Sequence, residues 1–256
     1  MSANFQTTTG SPVLAGAPGS CCITGVKHTG TPMGRTEQIG GMETYVSELP
    51  TQKTSRTNII LFFADVFGPM WINNKLVQDF FAVQGFTVLG PDYFFGFGVV
   101  NHPKGYDTNG WISTAVKPAW DAFSAWIDAV KKYLNHIPLP VFKSGTENVT
   151  YCAVGYCFGG PFVMHLAAED WITACAMAHP AFLEESHFEK QKEADENFPT
   201  ESRHRAEAIM AEHKGTYYFQ LFSHVNHGFA VRIELECWAK EESARAVKEW
   251  FVRFTE

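Results

Sequence analysis

The chain has 256 residues, 45% of them hydrophobic and 18% charged, with 22 Phe, 7 Trp and 8 Tyr. That apolar content excludes disorder over the bulk of the chain, and the length allows one large domain or at most two small ones. A formal charge of −7 speaks against nucleic acid or an anionic membrane as partner, because both call for a basic patch.

Residues 1–20 are small and polar and read as a flexible tail, with a single domain over residues 21–256. Met1 to Gly19 carries no Lys or Arg and no apolar h-region, so no secretory start is expected. The six cysteines, at 21, 22, 152, 157, 175 and 237, form no CxxC and no paired zinc spacing. Reduced thiols in a cytoplasmic setting are the expectation. The sequon Asn148-Val149-Thr150 then reads as a chance match.

Strands and helices alternate from Glu43 onward. Thr57-Asn-Ile-Ile-Leu-Phe-Phe-Ala64 is a continuous apolar run, as for a strand buried on both faces, and too short to cross a bilayer. Ile72, Leu76, Phe80 and Val83 share one face of a helix that Gly85 ends. Phe86–Leu89 reads as a second strand, followed by a Gly- and aromatic-rich loop from Tyr93 to about Trp111. Pro118 suits the first turn of the next helix, which continues through Phe123, Trp126, Ile127, Val130 and Leu134. Val149–Val154 is a third strand and Thr173–Ala178 a fourth. Ala206, Ile209, Met210 and His213 mark a helix, Thr216–Phe222 a strand, and Val247, Trp250, Phe251 and Phe254 a terminal helix. Such alternation predicts an α/β fold with a mostly parallel central sheet covered by helices on both faces.

Gly155-Tyr156-Cys157-Phe158-Gly159 fits G-x-nucleophile-x-G with cysteine in the nucleophile position. The nucleophile of such an elbow sits on a strained strand-to-helix turn, and the flanking glycines let neighbouring backbone pass closely. The segment follows an apolar strand and opens an amphipathic helix, which is the context the motif requires. The plain alternative is a buried cysteine beside a tight turn. A base is then needed. His227 follows the strand ending at Phe222 and comes last in chain order, as the elbow fold demands; His224 is its rival. Asp195 is the candidate acid between them, in a charged run that otherwise reads as a solvated loop.

With these residues the chain resembles the dienelactone hydrolase family of α/β-hydrolases, particularly its fungal members. The landmarks are Cys22-Ile-Thr-Gly25, Gly30-Thr-Pro32, Ala64-Asp65-Val-Phe-Gly68, Gly90-Pro-Asp92-Tyr93, the elbow, Ala178-His179-Pro180 and His227-Gly-Phe-Ala-Val-Arg232. The resemblance implies a Cys157–His227–Asp195 triad acting on esters or lactones through a thioester, and an oxyanion hole from the Val66 and Phe158 N–H groups. It implies that Asp65 is the acid that contacts the resting thiol, one methylene shorter than the usual glutamate. Phe94, Phe95, Phe97 and Trp111 suggest an apolar pocket wall, with lid or core packing as the equal alternative. Arg232 is a candidate for holding a substrate carboxylate, as charged residues near this position do in some relatives, with a surface role as the alternative. The expected partner is a small ester or lactone; no metal or organic cofactor is implied, and the oligomeric state is unread.

One departure stands out. The interval from Cys157 to Asp195 is shorter than the family's usual stretch by roughly ten residues, about one strand plus a turn. The sequence before Asp195 shows no apolar strand, so the fold is expected to lack the strand that precedes the triad acid. A non-catalytic member that binds a small carbonyl compound or a protein is the alternative this motivates.

Overall fold

The computed structural model describes residues 11–18, 25–49, 57–103, 105–133, 149–188, 200–222, 225, 227–232 and 238–255. Its strands are β1 (Val13–Ala15), β2 (Arg35–Ile39), β3 (Met42–Ser47), β4 (Thr57–Phe63), β5 (Thr87–Pro91), β6 (Val149–Tyr156), β7 (Ile172–Ala178) and β8 (Leu183–Glu184). Six form the central sheet in the order β2-β3-β5-β4-β6-β7. The β2–β3 and β3–β5 pairs are antiparallel, and β5, β4, β6 and β7 run parallel.

The period of two along a strand divides the core. From β4, Ile59, Leu61 and Phe63 face one side, where they meet Trp120, Phe123 and Trp126 of α2 (Thr108–Tyr133) and Phe162 of α3 (Gly160–Leu166). Ile60 and Phe62 face the other side, against Val77 and Phe81 of α1 (Ile72–Val83) and Val247 and Phe251 of α7 (Trp238–Thr255). Both faces are covered, which is why β4 is apolar throughout. Each buried Phe contributes about 1.5–3 kcal/mol. Among the described residues no helix is long and apolar enough to cross a membrane.

Four features differ from the sequence reading. The buried side of α1 is Asn73, Asn74, Val77, Gln78 and Phe81, whereas Phe80 and Val83 are exposed. The amides win that face because they bond carbonyls brought from elsewhere: Asn73 Nδ2 donates to the Val26 and Val231 oxygens, and Gln78 Nε2 to that of Pro69. Helix α2 begins ten residues before Pro118 and holds that proline in its interior. Asp107 starts the helix, its carboxylate accepting the Gly110 N–H and its carbonyl the Trp111 N–H. Within the expected tail, Val13–Ala15 pairs with Leu183–Glu184, and Leu14 and Ala15 are buried against Met164, Met177, Phe188, and Ile209 and Met210 of α5 (Thr200–Glu212).

The fourth difference is at the sheet edge. Residues 216–222 are irregular where a strand was expected. A strand exists only where a ladder receives its N–H and C=O groups. Among the described residues no strand lies against the outer side of β7, because β8 pairs with β1 and α4 (Glu185–Phe188) follows it directly. Residues 189–199, with Asp195 among them, lie outside the described residues.

Candidate active site

Strand β6 ends at Tyr156, one 3-10 turn spans Cys157–Gly159, and α3 starts at Gly160. Cys157 has φ 51°, in the left-handed region that a side chain rarely occupies, and its side chain is buried. The flanking glycines are sterically required. A Cβ on Gly155 would lie 2.6 Å from the Gly159 carbonyl oxygen, and one on Gly159 would lie 2.2 Å from that of Phe63 on the neighbouring strand. Cys152, Cys157 and Cys175 are all buried, and none is in a disulfide; burial raises the Cys152 thiol to about 12.

Register decides what stands beside the elbow. Phe63 pairs with Gly155 across β4 and β6, and Tyr156 pairs with Ala178 across β6 and β7. Two residues beyond the first pair and one beyond the second, Asp65, Cys157 and His179 leave adjacent parallel strands at their carboxyl ends. Open α/β sheets place their ligands at that end. His227 joins them from the turn before α6 (Phe229–Arg232), its ring centroid 4.8 Å from that of His179. His179 is fully buried. Its pKa is held well below the ordinary value, chiefly by burial and then by the charges of His227 and Arg232. Among the described residues, neither His179 ring nitrogen nor His227 Nε2 makes a hydrogen bond.

Asp65 has no solvent exposure. Its Oδ1 accepts Asn74 Nδ2 at 2.9 Å and the Phe67 N–H at 3.1 Å, and its Oδ2 lies 3.0 Å from Arg232 Nε. Burial pushes this carboxyl upward and outweighs the opposing pull of Arg232, Asn74, the Phe67 N–H and His227. Arg232 is therefore a core residue, and the surface role is corrected. Its guanidinium is within 5.3 Å of the Phe67 ring centroid, and it lies against Gly228 (φ 90°), where a Cβ would come within 2.2 Å. Asn74 also donates to the Gly68 carbonyl, so one amide fixes both the acid and the turn after β4.

Two backbone donors are set by neighbouring carbonyls. A peptide unit is planar and trans, so fixing its carbonyl fixes the N–H in the opposite direction. The Asp65 carbonyl, which shares a plane with the Val66 N–H, accepts from Gly68 N at 2.9 Å. The Cys157 carbonyl, which shares a plane with the Phe158 N–H, accepts from Ala181 N at 2.9 Å. Among the described residues, no group of three or more His, Cys, Asp or Glu side chains is placed to hold a metal ion.

The sequence profile of the dienelactone hydrolase family matches residues 42–255. A relative from Gibberella moniliformis, dienlactone hydrolase 1, is 36% identical over 93% of this chain and 95% of its own length. The hydrolase pyvD of Aspergillus violaceofuscus is 33% identical over 93% and 97%. The chain belongs to the dienelactone hydrolase family. Solved structures agree on the α/β-hydrolase fold. The dienelactone hydrolase from Anabaena variabilis superposes with a TM-score of 0.58 at 15% identity, over 90% of this chain and 100% of that one. Esterase 2 of Thermogutta terrifontis gives 0.59 at 14%, over 87% and 94%.

Within this dienelactone hydrolase family member, Phe94 and Trp111 are buried in an aromatic run. Trp111 packs on Phe94 at 5.2 Å and Phe94 on Phe158 at 4.9 Å, whereas Phe95 and Phe97 are exposed. Asp195 and His224 lie outside the described residues. Three neighbours of the site carry little signal when taken residue by residue. Asn74 is off the face marked by Ile72, Leu76, Phe80 and Val83, and His179 and Tyr93 stand only among the landmarks of the family resemblance. Tyr93 directly follows the Gly90-Pro91-Asp92 stop at the carboxyl end of β5, and that placement was the available signal.

Proposed function

We propose that the chain hydrolyses carboxylic esters or lactones with Cys157 as nucleophile. The observation that carries this reading is Cys157 at positive φ on a turn whose two glycines admit no side chain. A thiol held in that conformation on a strand-to-helix turn is aimed by the backbone itself, and aiming the sulfur at a substrate is the use this reading gives to the strain. The Cys157 thiolate attacks the acyl carbonyl, the alkoxide or enolate leaves, and a thioester remains. His227 takes the thiol proton, protonates the leaving oxygen, and then takes a proton from the water that cleaves the thioester. Asp195 completes the triad by orienting His227. The Val66 and Phe158 N–H groups receive the oxyanion. Asp65, within the turn after β4, contacts the resting thiol in this reading. Phe94 and Trp111 back the acyl pocket, and Arg232 meets a substrate carboxylate. An activated substrate such as an enol lactone suits a thiol, because its leaving group needs little help.

The test is hydrolysis of an aryl ester by the chain and by Cys157→Ala. The reading expects the variant to lose turnover by about a thousandfold or more. Equal rates would remove Cys157 as nucleophile.

A further inference from the structure

Tyr93 begins the loop after β5 and is buried. Its ring packs on Phe162 at 5.1 Å, on Phe158 at 5.8 Å and edge-on to Phe94 at 4.7 Å. Its hydroxyl donates to the carbonyl of Ala64. Phe63 is the last β4 residue paired with β6, so the backbone from Ala64 to Val66 has left that ladder. Farther along, the Val66 carbonyl is held by Val99 N–H at 2.9 Å and that of Asp65 by Gly68 N–H. The Ala64 carbonyl is held by a side chain, and that side chain also packs on Phe158.

We propose that Tyr93 is a positioning residue of the oxyanion hole. It ties the β4 exit, which carries the Val66 N–H, to the elbow, which carries the Phe158 N–H, and so keeps the two donors at one spacing. The proposal rests on the hydrolase reading above. Burial keeps the phenol protonated, and the nearby Asp65, Cys157 and Asp92 charges act in the same direction, so the hydroxyl remains a donor across the working range. The pinned carbonyl fixes the Ala64–Asp65 plane, and the next plane is the one that holds the Val66 N–H. Freeing the first leaves the second held from one side only, by the Gly68 N–H, while the Cys157 turn, set by its own flanking glycines, keeps its conformation.

Tyr93→Phe keeps the ring and removes only the hydroxyl. With an aryl ester, kcat should fall about tenfold or more while KM stays within about twofold, because a displaced donor is felt in the transition state rather than in binding. Affinity for an aryl trifluoromethyl ketone, whose carbonyl carbon takes the Cys157 sulfur and whose oxygen becomes an alkoxide, should fall in parallel. Alkylation of Cys157 by iodoacetamide, read on its peptide by mass spectrometry, should be unchanged, since sulfur displaces iodide without forming an oxyanion. A role confined to packing or stability would not produce that split. If the Phe variant loses its cooperative thermal melt, 3,5-difluorotyrosine at position 93 replaces it, keeping the hydroxyl but making it more acidic, and must change kcat without changing alkylation. Unchanged kcat, or alkylation that falls with kcat, overturns the proposal. Cys157→Ala separates the two claims: full activity in that variant removes Cys157 as nucleophile and the role of Tyr93 at its elbow with it, whereas an inactive Cys157→Ala beside a fully active Tyr93→Phe removes only the role of Tyr93.

Discussion

Asp65 Oδ2 and Arg232 Nε lie 3.0 Å apart in the interior, with both side chains shielded from solvent. The pair joins the turn after β4 to α6, and so fixes the segment that carries His227. Breaking a buried ion pair by removing one partner costs about 3–5 kcal/mol, because the other charge is stranded, whereas removing both costs far less. Arg232→Met should therefore be severely destabilised, and Asp65→Asn with Arg232→Met should cost less than the sum of the single changes. Urea denaturation of the two single variants and the double variant measures this coupling. Additive losses would show that the two residues do not act as a pair.

The elbow makes a steric prediction. A methyl group on Gly159 would sit 2.2 Å from the Phe63 carbonyl oxygen, a contact that only a shift of β4 or of the turn can relieve. Overpacking of this kind costs about 1–3 kcal/mol, and here the strained atom is backbone. Gly159→Ala should lose at least that much stability and most of its turnover. Wild-type melting and activity in Gly159→Ala would mean that the close approach is not maintained in solution.

His179 predicts an acid response. Its folded pKa lies below the ordinary 6.5, with burial the leading cause. As pH falls through about 6.5 the unfolded chain takes up a proton at this residue and the folded chain does not, so the unfolded state is favoured. Stability that is intact above that pH falls by up to about 1.4 kcal/mol per unit below it. His179→Gln should flatten the acid limb of stability against pH. Identical slopes in the two proteins would show that His179 is protonated without cost in the fold.

Much of this architecture was legible because single residue types carried it. Strand β4 needed only an unbroken apolar run, since both its faces are covered. The elbow needed only two glycines and a cysteine at fixed spacing. The buried side of α1 was not legible, because Asn73 and Gln78 are matched by carbonyls of Val26, Val231 and Pro69 that only the folded chain brings near. The start of α2 was legible in Asp107, a helix-capping residue, but Pro118 is the more conspicuous signal. Residues 216–222 have strand composition without strand structure, because composition does not say whether a neighbouring ladder exists. The pairing of His179 with His227 depends on β6–β7 register and has no sequence signature.

Catalysis by Cys157 requires a covalent acyl intermediate on its sulfur. Its most direct test is intact-protein and peptide mass spectrometry after rapid acid quench of the chain turning over a panel of enol lactones and aryl esters. An added acyl mass is expected on the peptide that contains Cys157, absent in Cys157→Ala and decaying as product appears. Turnover with no acyl mass on that peptide, or an equal burst from Cys157→Ala, would contradict it.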